Sequence, residues 1–229
     1  MRIILFGATG MVGQGVLREC LSAPDVEQVL TVGRSPAGVQ HPRLKERVHR
    51  DFTRFAPIRA ELTGYDACFF CLGVSSAGMS EADYTRVTYD YTLAAARVLA
   101  EQNPGMTFIY VSGTGTDSSE QGRSMWARVK GRTENALLQL PFKGAYMFRP
   151  GFIQPLNGIV SKTRLYRVIY SVAAPLYPLL SRLGPGVVTN TEKVGRAMLQ
   201  VARTGAPRRV LENRDINALA AGGLRPSTP

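Results

Sequence analysis

The chain of 229 residues is 45% apolar and 20% charged, with 28 lysines and arginines against 17 acids, a net charge of +11. This composition excludes a disordered or low-complexity chain, describes a domain with a sizeable core, and favours anionic partners such as a phosphorylated cofactor. Three cysteines exclude a disulfide framework, and no apolar run reaches the roughly 18 residues that span a bilayer.

The N-terminus, "MRIILFGATG", breaks into glycines after four apolar residues, unlike a secretory signal, so a cytoplasmic location is expected. "RIILF" predicts a first strand and "MVGQGVLRECLSA" the helix after it. "EQVLTV" and "ERVHR" predict strands two and three, the latter weak. "ACFFCL" predicts a fourth, followed by a helix from about Glu81 to Gln102. Cys68 and Cys71, three apart on that strand, point to opposite faces and read as core residues rather than ligands, so no metal is expected. "MTFIYVS", a helix through "ARVKGRTENALLQL", and the strand "GAYMFR" complete a βαβ alternation. The fold class expected is α/β, a Rossmann-like doubly wound parallel sheet with a small C-terminal substrate lobe.

After Pro150 the pattern changes. "PGFIQPLNG" reads as a loop. Residues 163–183, "TRLYRVIYSVAAPLYPLLSRL", carry a helical apolar stripe interrupted by Pro175 and Pro178 and flanked by arginines. That stripe folds onto a substrate lobe or makes a peripheral membrane contact. "TEKVGRAMLQVA" predicts an amphipathic helix with Thr191 as N-cap. The divisions expected are a cofactor domain over 1–155, a lobe packed on it over 156–221, and a disordered tail over 222–229.

Between the first strand and helix stands "GATGMVG". Gly7 permits a tight turn, Gly10 lets the backbone approach a pyrophosphate, and Gly13 lets helix pack on strand. Thr9, Met11 and Val12 share that loop, whose N–H groups and helix dipole attract phosphate. The second strand ends in Arg34 with no acid at that spot, which suits the 2′-phosphate of NADP(H) over the free ribose hydroxyl of NAD. Asp51, beside Phe52, closes the third strand where an acid can accept from the adenine amino group. Leu72 and Gly73 end the fourth strand against the adenosine half.

These segments, with "GRSP", "CLG", "VSGTGTDSS", "WARVKG" and "FRPGFI" in order, resemble the short-chain dehydrogenase/reductase superfamily. The likeness covers roughly residues 2–155. It is closest to the atypical and extended branch of epimerase-like oxidoreductases that includes the Tat-interacting tumour-suppressor protein. The resemblance implies a Ser–Tyr–Lys site. In it the lysine binds nicotinamide-ribose hydroxyls and lowers the tyrosine pKa, and the tyrosine exchanges a proton with the substrate oxygen. Lys130 matches the lysine, and Pro150 in "FRPGFI" is expected among the cofactor-binding residues. The serine position falls at Gly113, between Ser112 and Thr114.

The tyrosine position holds Trp126, whose indole N–H donates a hydrogen bond but releases no proton near neutral pH. Ser112, Thr114, Ser124, Tyr84, Tyr146 or water are the alternatives for the proton. The function expected is reduction of a lipophilic carbonyl or quinone by an NADP-dependent oxidoreductase with altered acid/base residues. The alternative is a non-catalytic NADP(H)-sensing protein. The basic residues are scattered, so no specific nucleic-acid partner is expected.

Overall fold

A computed structural model describes residues 1–159 and 186–223. Seven parallel strands form one sheet: β1 (Arg2–Phe6), β2 (Gln28–Gly33), β3 (Leu44–Val48), β4 (Ala67–Phe70), β5 (Thr107–Val111), β6 (Gly144–Arg149) and β9 (Val210–Glu212). Their order is β3-β2-β1-β4-β5-β6-β9, so the chain reverses direction across the sheet between β1 and β4. The first six follow the doubly wound Rossmann order, in which ligands bind at the carboxyl ends beside that reversal. A two-stranded parallel ribbon, β7 (Phe152–Gln154) with β8 (Val188–Asn190), adjoins the end of β6.

Both faces of the sheet are covered, which is why its inner strands carry consecutive apolar residues, as in Ile3–Phe6 and Ala67–Phe70, rather than alternating ones. On one face Ile3, Leu5, Phe69 and Phe148 pack with α1 (Met11–Ser22), α5 (Thr191–Thr204) and α6 (Asn213–Ala220). On the other, Ile4, Phe6, Cys68, Phe70 and Phe108 pack with residues of α3 (Tyr91–Gln102) and α4 (Met125–Leu138). Cys68 and Cys71 lie on opposite faces and are free thiols, as their spacing requires. The helix expected from Glu81 to Gln102 runs the whole distance as α2 (Glu81–Thr85), a π turn over Arg86–Asp90, and α3.

The segment after Pro150 adds β9 to the main sheet and lays α5 across α1. Close contact there requires glycine, since a Cβ on Gly15 would stand 2.5 Å from Thr191 and one on Gly195 would stand 2.7 Å from Glu19. Thr191 is not the N-cap of α5. Asn190 holds that position and accepts from the Lys193 N–H at 2.8 Å, while the Thr191 hydroxyl oxygen accepts from the Leu156 N–H. The apolar stripe over 163–183 and the end of the tail, 224–229, lie outside the described residues. Among the described residues no helix is long and apolar enough to cross a membrane.

Candidate active site

The glycine loop has the shape its sequence predicts. Gly7 sits at φ +80°, a left-handed conformation that favours glycine, and a Cβ there would lie 2.6 Å from the backbone of Cys71 and Leu72. A Cβ on Gly13 would lie 2.0 Å from the Gly7 carbonyl oxygen, so this glycine sets how closely α1 packs on β1. Gly10 differs. It is the N-cap of α1, and an added Cβ would meet only the Gly7 oxygen, at 3.3 Å. No side chain caps the helix, so its first-turn N–H groups stay available to an anion.

Two cavities flank this loop and share Leu72. The smaller, about 110 Å³, is lined by Gly7, Ala8, Thr9, Thr31, Val32, Gly33, Arg34, Ser35, Phe52 and Leu72. No carboxylate is among those residues. The Arg34 guanidinium is exposed and makes no hydrogen bond or ion pair among the described residues. Phe52, 3% exposed, forms part of the wall. Asp51 does not line this cavity. Its carboxylate accepts from the Thr53 N–H and hydroxyl, and those two bonds hold it below the usual carboxylate range.

The larger cavity, about 460 Å³, begins at Gly10, Met11 and Val12, passes Leu72, Gly73 and Val74, and ends among Ser112, Gly113, Thr114, Trp126, Lys130 and Pro150. Gly73 has open space where a Cβ would be. An anion-ready helix end, a glycine-floored cleft and a side cavity together suit a dinucleotide bound in extended form. When bound, a nicotinamide dinucleotide would supply hydride chemistry. Gly10, Met11 and Val12 would hold its phosphates, Arg34 and Phe52 its adenosine end, and Lys130 its nicotinamide ribose.

At the inner end, the half-buried Lys130 donates from Nζ to the Ser112 carbonyl oxygen at 2.6 Å, with Nζ 5.9 Å from the centre of the Tyr110 ring. Burial lowers its pKa to about 8, against the partial restoring pull of Glu134. Trp126 stands one turn before it and lies against Gly115, 3.4 Å from where that residue's Cβ would be.

The proposed hydroxyl donors are engaged elsewhere. Ser112 Oγ is bonded to the Glu134 carboxylate and the Phe148 carbonyl. Thr114 donates to the Arg149 carbonyl at 3.1 Å. Ser124 is the exposed N-cap of α4 and does not line the cleft. Tyr84 is 2% exposed, and Tyr146 places its hydroxyl beside Gly205 and Ala206, away from the carboxyl ends of the strands.

Glu134 and Arg149 were not anticipated from sequence. Glu134 is fully buried and receives Arg149 on both carboxylate oxygens, while Arg149 also reaches Glu212 and Ser118. Gly131 is equally important: a Cβ there would sit 1.7 Å from the Asp117 carbonyl, so only glycine lets α4 approach the loop after β5. That approach brings Lys130 to Ser112. A signal for Glu134 existed, since Ala127, Gly131 and Glu134 share one stripe of α4 and the acid is the odd member of it.

A doubly wound sheet with a dinucleotide groove at its reversal point defines a Rossmann oxidoreductase fold. Residues 3–124, more than half of the chain, match the NAD dependent epimerase/dehydratase family, and the chain belongs to it. The mitochondrial protein fmp52-2 of Aspergillus oryzae is 27% identical over 224 residues, 93% of each chain. HTATIP2 of Rattus norvegicus is 27% identical over 154 residues, 66% of this chain and 62% of that one. The crystal structure of Bordetella bronchiseptica WbmF with NAD+ superposes with a TM-score of 0.63 at 16% identity, covering 99% of this chain and 81% of that one, a likeness of fold. One expectation falls here. Several relatives are named as mitochondrial proteins, so composition and a plain N-terminus do not place this chain in the cytoplasm.

Proposed function

We propose that the protein reduces an uncharged, lipophilic carbonyl compound or quinone, with NADPH as hydride donor. The observation that carries this reading is the larger cavity. It links the glycine loop to Lys130 between apolar walls from Met11, Val12, Leu72, Val74, Trp126, Phe152 and Ile153, and no carboxylate is among its described lining residues. Such walls favour a greasy substrate, because a strongly polar or cationic one would lose hydration without a partner. NADPH over NADH is supported by the unengaged Arg34 beside Ser35 in an acid-free cavity, which suits a dianionic 2′-phosphate.

Trp126 in the tyrosine position favours a second reading, in which the groove senses NADP(H) without turnover. One pair of measurements separates them. Calorimetric titration should show NADPH binding more tightly than NADH, and NADPH oxidation against a panel of neutral aldehydes, ketones and quinones should show substrate-dependent turnover. Tight NADPH binding with no turnover on any member supports the sensor, and equal affinities for the two dinucleotides remove the NADPH assignment.

A further inference from the structure

Reduction of a carbonyl needs a proton for the oxygen as well as a hydride for the carbon. The cleft narrows the sources. Among its described lining residues only Cys71 and Lys130 carry titratable side chains, and burial pushes the Cys71 thiol up, leaving it neutral and a poor acid. The Ser112 hydroxyl is spent on Glu134 and Phe148, and the Thr114 hydroxyl on Arg149. The Lys130 ammonium has three N–H groups and gives one to the Ser112 carbonyl. Lys130 lines a cavity of about 460 Å³, and its other two N–H groups have no hydrogen-bond partner among the described residues.

We propose that the Lys130 ammonium is itself the proton donor to the substrate oxygen, taking the role of the phenol absent at Trp126. The inference rests on the reductase reading above. In the step, the carbonyl carbon gains a hydride, which comes from a reduced nicotinamide that is oxidised in turn. The C=O π electrons pass to oxygen. One Lys130 N–H bond breaks as the new O–H bond forms, and the neutral amine regains a proton from water. Thermodynamics favours such a donor, because an ammonium with a pKa of about 8 yields its proton far more readily than an ordinary lysine at 10.5.

The groups around it act in both directions. Burial among apolar walls pushes Lys130 down, and Glu134, one turn further along α4, pulls it up. Arg149 neutralises much of the Glu134 charge through its ion pair. Tyr110 from β5, with Tyr84 behind it, is a neutral phenol, since burial holds the Tyr110 pKa well above its usual range. Cys71, at the end of β4, is neutral too. The ammonium is therefore surrounded mostly by groups that do not compensate its charge.

The test has one arm without cofactor or substrate and one with both. In the cofactor-free protein, pH-dependent labelling of Lys130 by an amine-reactive probe, read by peptide mass spectrometry, should give a midpoint near 8. A midpoint at the ordinary lysine value of 10.5 overturns the proposal. In turnover, Lys130→Arg keeps charge and hydrogen bonding but cannot release a proton. It should lose about 10²–10⁴-fold in carbonyl reduction at saturating NADPH, the usual worth of a general acid. The natural protein should also slow as pH rises through 8. A Lys130→Arg protein that reduces at the natural rate overturns this inference alone. A natural protein that binds NADPH and reduces nothing overturns the reductase reading, and the inference with it.

Discussion

The two ends of the groove are built by different means. At the glycine end, backbone sets the shape: Gly7 at positive φ, Gly13 against the Gly7 carbonyl, and an uncapped helix start. At the lysine end, side chains from β6, α4 and β9 hold one another: Arg149 grips Glu134, Glu134 takes the Ser112 hydroxyl, and the Ser112 carbonyl takes Lys130. A backbone-built site tolerates change in the side chains around it. A site built from linked side chains fails when one member is lost, and its effects are non-additive.

The largest effect should come from breaking the linked end. Glu134→Ala leaves Arg149 partly buried without its main partner, and loss of one member of a buried ion pair costs about 3–5 kcal/mol. Denaturant unfolding should show that loss; a change under about 1 kcal/mol would mean the pair is structurally idle. At the glycine end the matching test leaves the fold intact. Arg34→Ala should weaken NADPH binding by about 1.5–3 kcal/mol and leave NADH binding unchanged, by calorimetry.

Lys130 gives a smaller effect with a defined pH dependence. Its folded pKa of about 8 lies below the ordinary 10.5, so between those values the unfolded chain holds a proton that the folded chain has released. Stability therefore rises with pH across that window, and the cost of burying the charge is present in full below pH 8. Lys130→Met removes the cost. Discounted for partial exposure, the variant should be more stable at pH 7 by about 1–2 kcal/mol, an advantage that fades toward pH 10.5. An advantage independent of pH would mean that the charge is well compensated.

The smallest expected change is Trp126→Tyr. If Lys130 already delivers the proton, adding a phenol beside it should change carbonyl reduction by much less than the about 10²–10⁴-fold of a new general acid. Gly113→Ser is no simple supplement: the space is open, with only the Pro150 oxygen at 4.0 Å, but φ at Gly113 is +157°, which L side chains rarely adopt. A gain within that general-acid range from Trp126→Tyr alone would show that the natural site lacks a proton donor.

The glycine end was legible in the sequence because its constraints are local: a strand, a seven-residue glycine motif that opens a helix, and an arginine closing the next strand. The inner strands were legible too, since burial on both faces leaves continuous apolar runs. Strand β9 was not, because three residues flanked by arginines and an acid, "RRVLEN", show no period, and its partner β6 lies some sixty residues away. The Glu134 network joins residues 112, 134, 149 and 212, whose proximity depends on α4 docking through Gly131 and on β9 pairing with β6. Asp51 is legible at a strand end, while the Asx turn in which its carboxylate accepts from Thr53 is set by the loop that follows.

The most direct test is a crystal structure of the NADPH complex. The 2′-phosphate should lie on the Arg34 guanidinium, the pyrophosphate on the first-turn N–H groups of α1, and the nicotinamide between Trp126 and Lys130, with the Lys130 Nζ open to the space above the ring. An adenosine half that leaves Arg34 in solvent, or a nicotinamide turned away from Lys130, would contradict the account.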